Sequence, residues 1–404
     1  MPLVTNISLK RFYKFLIIFL PLISFYFYGY INLNIEYSKL LYFLVVSLCL
    51  LIFSKIFLCK FKNKPYSRLI KYILLLMLLS TFMAFVFNQQ NIILGYRATM
   101  PYLALIYFFI LKQAKVSYSF IEKVIWLYCI FYIFIWLYAL SQAPDVLFQL
   151  DMSKDIRDNR GFFRLFIPGK EFIYGGLFLA LNYYFVSRKF KWIIISSAIF
   201  LVIIMHVTRQ TIFFAFIVSL FFFFKETRSK WLIITLAVIL YMAIPRIVKD
   251  RSSKLDQLIK LTESQIESTN AGEENIRVTA YKYFFTDYTE NFITAILGNG
   301  VAHFESHMGK KELMLANQYG LYASDVGYAN IYIKLGFLGL FFYLLIFYRS
   351  IKQNVPIQIK YAQMYLIFMA LINIGTSTVL KNPILFSLCV YVLEKHYSNS
   401  KIIV

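Results

Sequence analysis

Three arginines, an aspartate and a pair of histidines are the residues of this chain best equipped to act on a substrate. Arg209 follows His206-Val207-Thr208 between two apolar segments, Arg277 sits in a long polar stretch, and Arg97 belongs to Gly95-Tyr96-Arg97 at the start of another apolar run. A guanidinium never loses its charge and grips phosphate oxygens two at a time, so arginines gathered on one side of an apolar protein suit a phosphate-bearing ligand. Plainer roles are a snorkelling Arg209 at lipid headgroups and a surface ion pair between Arg277 and Glu273 or Glu274. Asp325, in Ser324-Asp325-Val326-Gly327 at the mouth of an apolar run, can take a proton from an attacking hydroxyl or cap a helix. His303 and His307 flank Glu305 at the i, i+4 spacing that ligates a metal when helical. No third ligand accompanies them, and Gly298-Asn299-Gly300 just before argues for a turn, leaving substrate contact, proton transfer or a polar loop as their roles. Arg160 and Arg164, near Arg157-Asp158-Asn159, are further candidate substrate contacts.

The elements that must position these residues are membrane helices. Of the 404 residues 60% are hydrophobic, 20% aromatic and 15% charged, with mean hydropathy +0.65; ordinary globular domains carry about 25% charged residues. Apolar runs of roughly 17–25 residues match a helix crossing about 30 Å of hydrocarbon, and they lack the alternation of a membrane β-barrel. The net charge of +22 is not a nucleic-acid face. Basic residues cluster between apolar runs, as at Lys60–Lys71, Lys112–Lys115, Arg188–Lys191, Lys225–Lys230 and Arg349–Lys360, where acids are scarce. Of the 20 carboxylates, Glu122, Glu226 and Glu394 fall in those loops and the other 17 elsewhere. This is the pattern of cytoplasmic loops. Cys49, Cys59, Cys129 and Cys389 have no metal-like spacing and sit in or beside apolar runs, implying neither a disulfide framework nor a zinc site. The first apolar run reads as a retained anchor.

The spacing predicts an all-α polytopic membrane protein of about twelve spans, near 13–31, 38–58, 72–88, 93–111, 121–141, 172–187, 192–207, 211–224, 231–245, 329–348, 361–380 and 383–394, with both termini cytoplasmic. The run 192–224 is too long for one span and short for two. Basic clusters at both its ends require a hairpin, with Arg209 at the outward tip. Three regions follow: spans 1–9 over 1–245 with an outer loop at 142–171, a large extracytoplasmic loop at 246–328, and spans 10–12 with a short tail over 329–404. Within the large loop, Leu255, Leu258, Ile259 and Ile266 predict a surface helix, Asn270-Ala271-Gly272 a break, and Ile276, Ala280, Tyr283 and Phe284 a second helix carrying Arg277.

At these residues the chain resembles the O-antigen polymerase and ligase family. Thr208-Arg209 is similar to that family's Ser-Arg step, Arg277 with Tyr281 to its Arg-x3-aromatic segment, and Leu297-Gly298-Asn299-Gly300 to its Gly-x-Gly turn. The run from Asp325 to Gly336-Phe337-Leu338-Gly339 resembles a polar residue followed by a Gly-x-x-Gly span. Ligase-like members carry His-Asn where this chain has Asp325-Val326, which favours a polymerase. The resemblance implies glycosyl transfer at the outer face of a bacterial inner membrane, polymerising oligosaccharide repeat units carried on undecaprenyl diphosphate. Arg209, Arg277 and Asp325 would be catalytic. Arg97, Arg160, Arg164, His303 and His307 would contact substrate; neither metal nor cofactor is needed, and a chain-length regulator and a flippase are the expected partners. Transfer of finished glycan to lipid A core, and transport of lipid-linked oligosaccharide, are the alternatives.

Overall fold

The computed structural model describes residues 2–24, 35–61, 64–142, 156–158, 163–165, 167, 169–206, 208–226 and 275–400. It is helical throughout apart from one short β ladder. The helices are α1 (Pro2–Ser24), α2 (Ile35–Ile52), α3 (Pro65–Asn88), α4 (Ile92–Leu103), α5 (Tyr107–Ala114), α6 (Tyr118–Gln142), α7 (Glu171–Ser187), α8 (Lys191–Met205) and α9 (Arg209–Glu226). After the undescribed 227–274 come α10 (Ile276–Thr286), α11 (Phe292–Leu297), α12 (His307–Tyr319), α13 (Gly327–Lys352), α14 (Lys360–Ile372), α15 (Thr378–Lys381) and α16 (Pro383–Ser400). Among the described residues, four helical stretches are long and apolar enough to cross a membrane: Pro65–Asn88, Ile92–Ala114, Tyr118–Gln142 and Gly327–Lys352. The span expected at 231–245 and the surface helix expected around 255–266 lie outside the described residues.

Large apolar side chains face outward along these helices. Leu127, Ile130, Phe134 and Leu137 of α6 recur at helical spacing, as do Phe213, Phe216, Ile217, Phe221 and Phe224 of α9. Such continuous apolar stripes are untenable against water and comfortable against lipid tails. The inward faces form a core through Ile70, Phe108, Tyr132, Phe178, Tyr365 and Phe386.

Two expectations are adjusted. The segment 142–171, expected as an outer loop, contains a ladder, β1 (Ile156–Asp158) against β2 (Phe163–Leu165), pairing Arg157 with Arg164; three residues are too few to leave an alternation signal. The last helix extends to Ser400, well past the expected 394, because the run beyond Leu393 is polar and hydropathy alone stops there. Helices α8 and α9 pack against each other, and at the end of α8 His206 Nε2 lies 2.9 Å from the Tyr132 hydroxyl while its ring stacks 5.2 Å from Trp136.

Helix α3 runs about 36 Å between two contrasting ends. At one, Ser67 meets Lys112 and Glu394 among the basic loops. At the other, residues 275–326 form a cap with a small core of its own, Ala280, Phe284, Tyr288, Met308, Leu315 and Val326, which continues onto Ala329 and Ile333 of α13.

Candidate functional site at the capped end

Helix α13 is broken. Gly336 sits at φ 68°, ψ −175°, a conformation open essentially to glycine alone. A helix interrupted there leaves the carbonyls of Ile333 and Lys334 without their usual donors four residues on. The Gly298-Asn299-Gly300 turn supplies them: Asn299 N donates to Ile333 O at 2.8 Å, Gly300 N to Lys334 O at 3.1 Å, and Asn299 Nδ2 to Ile333 O at 3.2 Å. The fit is too close for side chains. A Cβ on Gly336 would stand 2.2 Å from Ile296 O, and one on Gly298 2.2 Å from Lys334 O. The two glycine motifs are therefore one device, a loop plugged into a helix break, and its role is positional.

The first half of α13 also reaches the end of α14, where the Tyr328 hydroxyl donates to Ala370 O at 2.6 Å, and the turn that follows, Ile372–Ser377, is where the arginine segments meet. Gln210, next to Arg209, donates from Nε2 to Ile372 O at 3.2 Å. Tyr281 donates to Ile374 O at 2.5 Å, and Arg277 lies one helical turn before it on the same face, its charge within reach of the Tyr281 hydroxyl. Asn275 caps this helix, its Oδ1 accepting from Arg277 N at 3.0 Å. The Arg277 guanidinium is exposed and makes no ion pair among the described residues; Glu273 and Glu274 lie outside them. Ser377 N donates to Ser324 O at 2.7 Å, which brings Asp325 to the same turn. Asp325 is exposed and does not cap α13: the capping position is Val326, and the carboxylate lies in a 3-10 turn, Ala323–Asp325, with Oδ1 accepting from Ser324 Oγ at 3.2 Å.

Around the turn, buried polar atoms are left without partners: Gln210 Oε1, Asn330 Oδ1, Asn373 Nδ2, Ser377 Oγ and, on the first residue of α7, Glu171 Oε1. Buried polar groups are nearly always satisfied; among the described residues Ser219 Oγ and the Tyr361 and Tyr365 hydroxyls, farther along the helices, are the others left without partners.

Two lysines that were not among the candidates expected from the sequence, Lys334 and Lys381, complete the site. Lys334, about 10 Å along α13 from its start, extends Nζ to the Tyr102 hydroxyl at 3.2 Å and over its ring at 5.2 Å. Lys381 ends α15, which packs on α13 and α4. Its side chain is exposed, yet enough protein surrounds it that lost hydration, then the neighbouring charges of Lys334 and Lys170, pull its pKa down to about 8, with Asp325 opposing. Exposure and enclosure coexist where a side chain lines an open recess. The signal for Lys334 was in the sequence: an ionisable residue inside an apolar span, which is costly unless it faces a polar cavity.

The remaining candidates lie elsewhere. His303 and His307 do not share a helix face, because α12 starts at His307 behind Ser306, whose Oγ accepts from Gly309 N at 3.1 Å. His303 is buried in the preceding turn. Its backbone N donates to Gln90 Oε1 at 2.9 Å, and its Nδ1 accepts from Glu305 N at 3.3 Å. Burial lowers its pKa, with Arg97 adding to the fall and Glu305 opposing it. Arg97 thus stands by His303 and not at the recess. His307 is exposed and lines a separate pocket. Arg160 lies outside the described residues, and Arg164 is placed by its backbone on β2. In comparisons with known proteins, the chain matches no family model and no curated protein.

Proposed function

We propose that this protein is a membrane glycosyltransferase that extends a surface polysaccharide, taking a growing glycan on a polyprenyl diphosphate as donor and a hydroxyl of a lipid-linked repeat unit as acceptor. What supports this most is the docking of Gln210, Tyr281 and Ser324 on the Ile372–Ser377 turn, which draws in the segments bearing Arg209, Arg277 and Asp325, with Lys381 close enough to Lys334 and Asp325 to feel their charges. In the reaction the anomeric C–O bond to the diphosphate breaks, the acceptor oxygen forms the new glycosidic bond, and negative charge grows on the leaving diphosphate. Ammonium and guanidinium groups held beside the diphosphate stabilise that charge as it develops. Asp325 takes the acceptor's proton. The basic short loops support a reading in which the capped end faces away from the cytoplasm, where no nucleotide sugar is available and a lipid diphosphate is the natural activated donor.

A transporter is the reading a broken helix first brings to mind, because such breaks expose backbone carbonyls to bind cargo ions. Here the freed carbonyls of Ile333 and Lys334 are already occupied by the Gly298–Gly300 turn, which favours a fixed catalytic wall. The test is extension of a lipid-linked repeat unit by purified protein. Arg277→Lys and Arg209→Lys are expected to lose most polymer length while remaining folded in the membrane; long polymer from both would refute the assignment.

A further inference from the structure

Behind the Gly298–Gly300 turn lies a second concavity of about 510 Å³, bounded by the end of α3, α11 and the start of α12. It falls within the ~300–1,000 Å³ typical of small-molecule pockets, so it has room for a short chain of atoms and not merely an ion. Its wall carries the half-exposed ring of Phe87 and the edge of Tyr288 beside the side chains of Gln89, Asn291 and His307. The Gln89 carboxamide and His307 ring make no hydrogen bond among the described residues, and Asn291 spends its Oδ1 on Ile293 N at 2.8 Å, leaving its amide NH2. The charges present cancel, since Lys311 pairs with Glu290 at 3.1 Å. The Tyr288 hydroxyl is engaged with Glu312 at 3.2 Å.

This composition selects a ligand. An anion gains nothing from a pair already neutralised, and a purely apolar ligand would strand the amides. A sugar has C–H faces to lay on aromatic rings and hydroxyls that both donate and accept, which is what carboxamides and an imidazole match. We propose that this pocket binds a neutral saccharide segment of the glycan. Asn299 lines it while donating to Ile333 O, one residue from Lys334, so pocket and cationic recess share a wall. The choice of glycan rests on the glycosyl-transfer reading.

The experiment uses the full chain in nanodiscs and saturation-transfer NMR with lipid-free saccharide fragments released by mild acid from the host strain's own surface polysaccharide. Fragments are expected to bind, and His307→Ala and Phe87→Ala each to weaken binding about tenfold, the scale of one lost hydrogen bond or ring contact. Phe87→Leu and His307→Gln, which keep volume and polarity respectively, guard against misfolding and are expected to restore part of the affinity. Lys381→Met is expected to retain fragment binding while losing transfer. No fragment binding to the native chain, or binding indifferent to both alanine variants, overturns the pocket and leaves the recess untouched. Binding that follows the variants in a protein without transferase activity upholds the pocket and overturns the transfer reading.

Discussion

The two ends of the helix bundle differ in how their carboxylates and carboxamides are engaged, although the buried Tyr361 hydroxyl at the basic-loop end also lacks a partner. At the basic-loop end, each carboxylate that interrupts the positive charge is engaged. Glu394 accepts from Ser67 N at 2.6 Å and pairs with Lys112 at 3.3 Å. Glu226 pairs with Lys360, and Glu122 accepts from the Tyr183 hydroxyl at 2.8 Å. Carboxamides there are spent on backbone as well: Gln363 donates to Ser350 O at 2.7 Å and Gln353 O at 3.0 Å, and Asn182 to Gln358 O at 3.0 Å. At the capped end, Asn330, Asn373, Gln210 and Glu171 hold buried atoms with no partner, and Lys381 makes no hydrogen bond or ion pair among the described residues. Satisfied groups hold helices in register. Unsatisfied ones raise the energy of the empty protein and give it back to a ligand that supplies the missing bonds. Under the proposed function, the first is the end that anchors and the second the end that acts.

The comparison is most severely tested at Lys381. Lys381→Met removes one charge from the recess and is expected to lower transfer by about 10²–10³-fold, the usual cost of losing one transition-state electrostatic contact, with thermal stability unchanged or improved. Next is Gly336→Ala, which combines a conformation reserved for glycine with a collision at Ile296 O. A loss on the order of 3 kcal/mol, read as a lowered Tm with faster amide exchange through 296–300, is expected. A smaller effect belongs to the other end: Glu394→Gln should cost about 1–2 kcal/mol by weakening charge-assisted bonds, while turnover per folded molecule stays the same. A fall in turnover there would dissolve the distinction between the ends.

The finest effect is with pH. The Lys381 pKa is lowered in the folded protein, so its charged form is disfavoured there relative to the unfolded chain. That penalty is complete below about pH 8 and fades as pH rises from there toward the ordinary lysine value. The ligand-free protein should therefore become slightly more stable over this window, while affinity for a diphosphate falls as the ammonium deprotonates. Thermal melts and binding isotherms run in parallel should show opposite trends; parallel trends would place Lys381 outside the phosphate site.

The helices were legible because lipid exposure demands long apolar runs, and α3, α6 and α13 stand where those runs lie. The hairpin at Arg209 was legible from its flanking charges, and the Arg277 helix from its apolar spacing, although Ile276 is exposed at its start. What escaped depends on partners distant in sequence. Gly336 breaks α13 because a turn some forty residues earlier fills the gap. Ser306, by capping α12, separates two histidines whose spacing alone argued for a shared face. Val326 takes the capping position that Asp325's residue type promised. The Ile372–Ser377 turn carries no charged residue to draw notice, and its importance arises from what the fold docks on it. Lys381 reads as an ordinary inter-span lysine until α13 and α4 are placed beside it.

The central claim, that the capped-end recess holds a diphosphate, is tested most directly by ³¹P NMR of a short-chain polyprenyl diphosphate titrated into nanodiscs carrying the full-length protein. A saturable shift of both phosphorus resonances is expected with the native chain, strongly weakened in Lys381→Met and Arg277→Lys and preserved in Glu394→Gln. Resonances unmoved by the native protein, or moved equally by all four proteins, would contradict it.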